Sequence, residues 1–141
     1  LIVISATARI AVAPALLQQL ESDPATARQW IVEAGYGPAT PARTREMGLE
    51  QLASVPPEVL LGDFGACSTF DVRARLGEVR APALVLCGSE DLLSPPKYVR
   101  ALAEGLPNAR FELLSGAGHM LPMEEPEATA AAIASFLASL Q

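Results

Sequence analysis

The chain of 141 residues is 50% hydrophobic and 18% charged, a composition that is typical of one folded domain and excludes a disordered or low-complexity protein. Its net charge of −6, with only ten lysines and arginines scattered along the sequence, excludes the basic surface that nucleic-acid binding requires. Since no apolar stretch approaches the roughly 18 residues that cross a bilayer, we also expect no membrane partner.

A short buried strand is predicted at the start of the sequence. Residues 1–5, Leu-Ile-Val-Ile-Ser, form a continuous β-branched run that stops at a small polar residue, which is typical of a parallel strand covered on both faces. The run has no polar lead-in and does not begin with methionine, so we expect the natural polypeptide to extend upstream. It also lacks the features of a secretory signal peptide, which would have to precede it.

Residues 9–76 are predicted to be helical. One helix starts at Asp23-Pro24, and its apolar face recurs with helical spacing at Ala27, Trp30, Ile31 and Ala34. Thr40-Pro41 and Pro56-Pro57 are two further helix starts. Because no strand pattern interrupts this stretch, we interpret it as a helical insertion into a sheet protein.

From residue 81 the pattern changes to strand, helix, strand, helix. The strands are predicted at residues 83–87 and 110–114. Between them, Ser94 is predicted to cap a helix that Gly105 ends in a left-handed conformation. The last helix begins near Pro126, and its apolar face consists of Ile133, Phe136, Leu137 and Leu140. This alternation predicts an α/β fold with a parallel sheet.

Two residues that could perform acid-base chemistry follow these strands. Asp91 lies in the loop after residue 87, and His119 lies in the glycine-rich loop after residue 114. Because the carboxyl ends of parallel strands gather reacting groups at one edge of a sheet, we expect the two side chains to meet. A carboxylate that accepts a hydrogen bond from one imidazole nitrogen orients the ring and stabilises its charged form, so the pair suits a general base and its orienting acid.

The residues around this pair resemble the C-terminal part of the α/β-hydrolases. The matching segment, Pro82 to Leu137, contains Gly88-Ser89-Glu90-Asp91, Gly116-Ala117-Gly118-His119-Met120 and Glu124-Glu125-Pro126. The resemblance implies the C-terminal half of an α/β-hydrolase fold, with three parallel strands, flanking helices and a helical cap insertion. It also implies Asp91 as the acid and His119 as the base of a Ser-Asp-His triad that requires no cofactor.

The same resemblance divides the chain into three parts. Residues 1–8 would form the core strand that follows the nucleophile region, and residues 9–76 would form the cap that covers the active site. Residues 77–141 would form the C-terminal core that carries the acid and the base.

The nucleophile of such a triad is missing from this sequence, which contains no Gly-x-Ser-x-Gly motif. Gly65-Ala66-Cys67-Ser68-Thr69 could be read as an altered motif with Cys67 or Ser68 as nucleophile. Residues 56–61, however, predict a helix where the motif needs a strand, and Thr69 replaces a small glycine. We therefore expect no full hydrolase activity from these residues alone.

Each candidate residue also has a structural interpretation. His119 could be an ordinary loop histidine, and Asp91 could belong to the N-cap of the next helix, with Glu90 as the acid instead. Ser5 is interpreted as a strand-end residue whose loop borders the pocket. Three aromatics could line a substrate pocket under the cap, although helical spacing favours simple packing: Trp30, Tyr36 and Phe64. Asp63 and Asp71 are interpreted as surface or capping carboxylates, with a catalytic role as the minor alternative.

The cysteines do not form a metal-binding pattern. Cys67 and Cys87 are far apart, no CxxC pair exists, and His119 is the single histidine, so a zinc site has too few ligands. Cys87 closes an apolar run and is interpreted as a buried, reduced thiol. This interpretation favours a reducing, cytoplasmic compartment.

The sequence therefore predicts a hydrolase that acts on an ester or related bond of a small apolar substrate. Relatives with this fold also include dehalogenases, peroxidases and carbon–carbon bond hydrolases, and fold alone does not choose among them. Two alternatives of another kind stay open. One is a non-catalytic binding or assembly subunit that self-associates through an exposed sheet edge, and the other is a truncated, inactive fragment.

Overall fold

The computed structural model describes residues 1–140. In chain order its strands and helices are β1 (Ile2–Ile4), α1 (Pro14–Ser22), α2 (Pro24–Gly35), α3 (Ala42–Ala53), α4 (Pro57–Thr69), a 3₁₀ helix (Arg73–Glu78), β2 (Ala83–Gly88), α5 (Pro96–Gly105), β3 (Ala109–Leu114), α6 (Leu121–Glu124) and α7 (Pro126–Ala138).

Three parallel strands form the sheet, in the order β1-β2-β3. Val85 in the central strand pairs with Val3 on one side and with Phe111 on the other. Every residue of β2 is buried, because helices and loops cover both faces of the sheet. The predicted α/β fold with a parallel sheet is confirmed, and β2 and β3 are each one residue longer than predicted.

Side chains of β2 alternate between two hydrophobic clusters, one on each face of the sheet. Val85 and Cys87 pack with Val99 and other residues of α5 on one face. Leu84 and Leu86 pack with Leu121, Phe136 and their neighbours on the other face. Burying one such aliphatic side chain completely stabilises the fold by about 1.5–3 kcal/mol. The central strand, which leads into the loop that carries Asp91, is thus packed on both faces.

The helices predicted between residues 9 and 76 are present, and α1, α2 and α4 share a separate cluster. Its buried members are Leu16, Leu20, Ala27 and Leu60. Helix α2 begins at Pro24 as predicted, where the Asp23 carboxylate accepts a hydrogen bond from the Thr26 amide at 3.2 Å. That hydrogen bond holds the pKa of Asp23 below its usual range. Trp30 is 46% exposed, so the buried face of α2 is narrower than predicted.

Three details of the C-terminal part differ from prediction. Ser94 does not cap α5 with its side chain; its amide instead donates to Asp91 Oδ1 at 2.7 Å. Gly105 ends α5 without a left-handed conformation, and its lack of a side chain instead leaves room for Leu76. Leu137 and Leu140 are 50% and 49% exposed, so the buried face of the last helix is also narrower than predicted.

Candidate active site

Asp91 and His119, which follow neighbouring strands, are in contact. His119 Nδ1 lies 3.0 Å from Asp91 Oδ2 and 3.2 Å from Oδ1. Asp91 is 1% exposed, and its Oδ1 also accepts the Ser94 amide hydrogen bond. The strands therefore bring together the two side chains that the sequence pattern selected.

The contact determines which nitrogen of His119 is free. An ionised carboxylate can only accept hydrogen bonds, so Nδ1 must carry the proton that it shares with Asp91. Nε2 is then the acceptor, and the side chain of His119 is 29% exposed. Within residues 1–140, no hydroxyl or thiol is hydrogen-bonded to this ring. The arrangement can accept a proton at Nε2 while Asp91 stabilises the charged ring.

The backbone of the His119 loop is held at both ends. Gly116 has a φ of +82°, a left-handed conformation in which a side chain would be strained. The Gly116 amide donates to Ser89 Oγ at 2.9 Å. The amides of His119 and Met120 donate to the Gly35 carbonyl, at 2.9 and 3.3 Å. The last residue of α2 therefore helps to determine where the imidazole lies.

Glu124 is a site residue to which the sequence analysis assigned no role. Its carboxylate accepts hydrogen bonds from four groups: the amides of Gly37, Gly118 and Met120, and the Thr40 hydroxyl. The available signal was an acidic residue shortly after His119, in the Glu-Glu-Pro part of the motif. That signal gave no indication of the groups that Glu124 would bind, because two of them lie far earlier in the chain.

An apolar cavity of about 240 Å³ lies beside the His119 loop. It is bounded by α2, by α3 and by the two loops that carry Asp91 and His119. Its walls are Ile31, Val32, Gly35, Tyr36, Gly48, Gln51, Leu52, Val55, Leu93 and Met120. The Tyr36 hydroxyl donates to Met123 Sδ at 3.5 Å, and burial together with the charge of Glu124 raises the pKa of Tyr36. The cavity can therefore hold a small apolar group next to His119.

The alternative nucleophiles and acid lie elsewhere. Glu90 is exposed, and its carboxylate accepts a hydrogen bond from Ser89 Oγ at 3.0 Å. Cys67 and Ser68 are in the C-terminal half of α4, where no strand precedes them, so they do not form a nucleophile elbow. Ser5 directly follows β1 with a φ of 49° and is buried, but it does not line the cavity.

Of the remaining candidate residues, one lines the cavity and the others do not. Tyr36 lines the cavity, whereas Trp30 is half-exposed and Phe64 packs against the helical cluster. Asp63 is exposed. Asp71 binds the Arg73 side chain at 2.6 Å, and these hydrogen bonds lower the pKa of Asp71 to about 2.

Among residues 1–140, the potential metal ligands form no metal site and the two cysteine thiols form no disulfide. In residues 1–140, no group of three or more histidine, cysteine or acidic side chains is placed to hold a metal ion. Across the same residues, no helix has the length and apolar character to cross a membrane. Both cysteines are free. Burial and the nearby charge of Asp91 raise the pKa of the Cys87 thiol to about 11, so this thiol is a poor nucleophile.

Comparison with known proteins gives consistent matches. The sequence profile of a family described as alpha/beta hydrolase fold matches residues 8–126. The RutD protein of Caulobacter vibrioides, which its name describes provisionally as a carbamate hydrolase, is 36% identical over 97 residues, covering 67% of this chain and 36% of that protein. RutD of Pseudomonas savastanoi is 35% identical over 98 residues, covering 69% of this chain and 38% of its own.

Solved structures match along almost the whole chain. A thermophilic esterase superposes with a TM-score of 0.85 at 26% identity, covering 98% of this chain and 55% of the esterase. The enol-lactonase from Burkholderia xenovorans LB400 gives a TM-score of 0.87 at 22% identity, with 97% and 55% covered. The chain thus spans about half the length of these enzymes and a little over a third of the length of the RutD proteins.

Proposed function

Since this chain belongs to the α/β-hydrolase fold family, we propose that the protein that carries it hydrolyses an ester or related acyl bond in a small apolar molecule. The observation that carries this proposal is the contact between His119 Nδ1 and the buried Asp91 carboxylate. Carbamates and lactones contain acyl bonds of this class, and they are the compounds that the names of RutD and of the enol-lactonase indicate.

The proposed reaction uses a serine as nucleophile. His119 Nε2 takes the proton of the serine hydroxyl as its oxygen attacks the substrate carbonyl carbon, and then returns the proton to the leaving group. In the second half, His119 takes a proton from water as the water oxygen attacks the acyl carbon; the bond to the serine oxygen then breaks, His119 returns the proton to that oxygen, and the acid is released. The Asp91 carboxylate stabilises the charged imidazole. Because no hydroxyl in residues 1–140 is hydrogen-bonded to His119, we place this serine outside these residues, and we expect the chain alone to be inactive.

The apolar cavity supports the substrate part of the proposal. Residues 9–76 would act as the cap, with α2 and α3 supplying walls against which the apolar part of the substrate packs. A volume of about 240 Å³ suits a short acyl or alcohol group better than a long lipid chain. Both cysteines are free, which supports a reducing, cytoplasmic location.

The test is an assay of the protein that carries this chain against p-nitrophenyl acetate, butanoate and hexanoate, and against a p-nitrophenyl carbamate. We expect hydrolysis of at least one of them, and His119→Ala should lower kcat by about 10³-fold or more. Folding of the variant is checked by circular dichroism. Hydrolysis that survives in a folded His119→Ala variant would exclude His119 as the base.

A non-catalytic assembly role is the second candidate, and it depends on the free edge of the sheet. β1 pairs only with β2 among the described strands, and Leu1 and Ile2 are 53% and 37% exposed. An open strand edge can pair with a strand of another chain. If the protein that carries this chain forms a stable oligomer in size-exclusion chromatography and hydrolyses none of the substrates, the assembly role becomes the better explanation.

A further inference from the structure

We infer that Glu124 is a positioning residue that locks the His119 loop onto the segment between α2 and α3, so that the contact of His119 with Asp91 depends on this carboxylate. The inference rests on the proposed function of His119 as the base. Glu124 touches neither the imidazole nor Asp91 through a hydrogen bond, and it acts through the backbone on either side of His119.

One oxygen of Glu124 holds the His119 loop. Oε1 accepts hydrogen bonds from the Gly118 amide at 3.1 Å and from the Met120 amide at 3.0 Å. These residues directly precede and follow His119, so the carboxylate brackets the residue whose ring must be oriented. With the His119 amide bound to the Gly35 carbonyl at 2.9 Å, three consecutive amides of the loop are held.

The other oxygen holds the segment between α2 and α3. Oε2 accepts from the Gly37 amide and from the Thr40 hydroxyl, each at 2.7 Å. It also lies 3.0 Å from the Gly118 amide. A single carboxylate therefore joins two parts of the chain that are far apart in sequence. The Arg45 guanidinium, which donates to the Gly37 and Thr40 carbonyls, also binds the segment between α2 and α3.

The junction requires a group that only accepts hydrogen bonds. An ionised carboxylate offers lone pairs on both oxygens, whereas a glutamine of the same size must place an NH₂ group at one of the two positions. That NH₂ group would face either the Gly118 and Met120 amides at the Oε1 position or, at the Oε2 position, the Gly37 and Gly118 amides and the Thr40 hydroxyl. The Thr40 hydroxyl can rotate to accept from an NH₂ group, but a backbone amide can only donate. In either orientation backbone donors therefore face the NH₂ group, and Glu124→Gln releases one side of the junction.

The single histidine of the chain makes the consequence measurable. Nitrogen-15 chemical shifts of His119 distinguish a ring protonated at Nδ1, which Asp91 requires, from one protonated at Nε2. In the wild-type chain we expect the Nδ1-protonated form to dominate at a pH where the ring is neutral. In Glu124→Gln we expect the ratio of the two forms to fall about tenfold, because the loop no longer holds the ring against Asp91.

The matched control is Glu125→Gln, which removes an exposed carboxylate from the next residue and should leave the ratio unchanged. If Glu124→Gln does not fold, Thr40→Val decides, since it removes one donor to Oε2 and should lower the ratio about threefold. An unchanged ratio in the folded Glu124 variant, or in Thr40→Val where that variant is unfolded, would overturn the inference.

These outcomes are separate from the fate of the proposed function. Hydrolysis that survives in His119→Ala would show that His119 is not the base. The tautomer ratios of the wild type and of Glu124→Gln would still show whether Glu124 holds the loop. Conversely, loss of hydrolysis in His119→Ala with an unchanged ratio in folded Glu124→Gln would support the function and overturn the inference.

Discussion

Gly37 and Gly118 lie back to back, so close that a β-carbon on either residue would overlap backbone atoms of the other's segment. The segment that follows α2 and the loop that carries His119 therefore meet through bare backbone. Neither glycine has a positive φ. Glycine is therefore needed at both positions because there is no space for a side chain, and not because of the backbone conformation.

The first prediction concerns this close contact. Gly118→Ala should lower the free energy of unfolding by about 1–3 kcal/mol, because the extra methyl group forces the two segments apart. The matched control is Gly62→Ala in α4, where nothing lies within 4 Å of the added β-carbon. That change should raise stability by roughly 0.5–1 kcal/mol, since alanine favours helix. Urea denaturation measures both, and equal effects of the two substitutions would contradict the contact.

The second prediction concerns the buried acid. Asp91→Asn keeps the size of the side chain, but its NH₂ group can face His119 Nδ1 and favour the wrong tautomer. In the protein that carries this chain, kcat for ester hydrolysis should fall about 10³–10⁴-fold with little change in KM. Glu90→Gln, one residue away and exposed, should retain activity within about twofold. If Glu90→Gln proved the more damaging change, the acid would be Glu90.

The third prediction follows from the raised pKa of Cys87. A thiol with a pKa of about 11 in the folded state and about 8.5 when unfolded binds its proton more tightly in the fold. Its contribution to stability is fully present below about pH 8.5 and is lost as the pH rises towards about 11. Melting temperatures between pH 8 and 10.5 should therefore fall less steeply in Cys87→Ala than in the wild type. Parallel slopes would refute the assignment.

The same burial separates the two thiols chemically. Cys87 is fully buried and Cys67 is partly exposed, so a thiol reagent at pH 8 should modify Cys67 quickly and Cys87 only after unfolding. Mass spectrometry of peptides after brief alkylation gives the two extents directly. Rapid modification of Cys87 in the folded chain would mean that the sheet face around it opens.

The fourth prediction concerns the cavity as the proposed site for the apolar part of the substrate. Gln51→Trp places a large ring at the cavity wall and should raise KM for p-nitrophenyl hexanoate about tenfold, while KM for the acetate changes little. Met47→Trp is the control, because Met47 lies on the same helix and is 42% exposed but does not line the cavity. Equal KM values in the two variants would place the substrate elsewhere.

Local patterns were sufficient for β2, β3 and the two loops, whereas β1 is shorter and more exposed than residues 1–5 were predicted to be. The apolar run at residues 83–87 and the alternation of strand and helix patterns predicted β2 and β3 to within one residue, and Asp23-Pro24 predicted the start of α2. Adjacent parallel strands carry Asp91 and His119 to the same edge, so topology alone predicted that these residues would meet. These features depend on neighbours in sequence or on a general rule of sheet geometry.

Other features depend on contacts between distant segments, which one sequence does not reveal. The Ser94 amide is used by Asp91 and not by a helix cap, because the buried carboxylate needs a donor at that place. The role of Gly105 comes from the approach of Leu76, and the four donors of Glu124 are brought together only by the fold. Each of these could be stated only after the packing was known.

The close contact between Gly37 and Gly118 also separates the part of the chain that could be redesigned from the part that should be kept. Most cavity walls lie on α2 and α3, whereas the short stretch from Gly35 to Thr40 is hydrogen-bonded to the His119 loop and to Glu124. If the proposed function holds, replacing the remainder of α3, with Arg45 retained to hold that stretch, should alter substrate selectivity and leave the imidazole in place. Libraries made in this way would vary specificity independently of the acid-base pair.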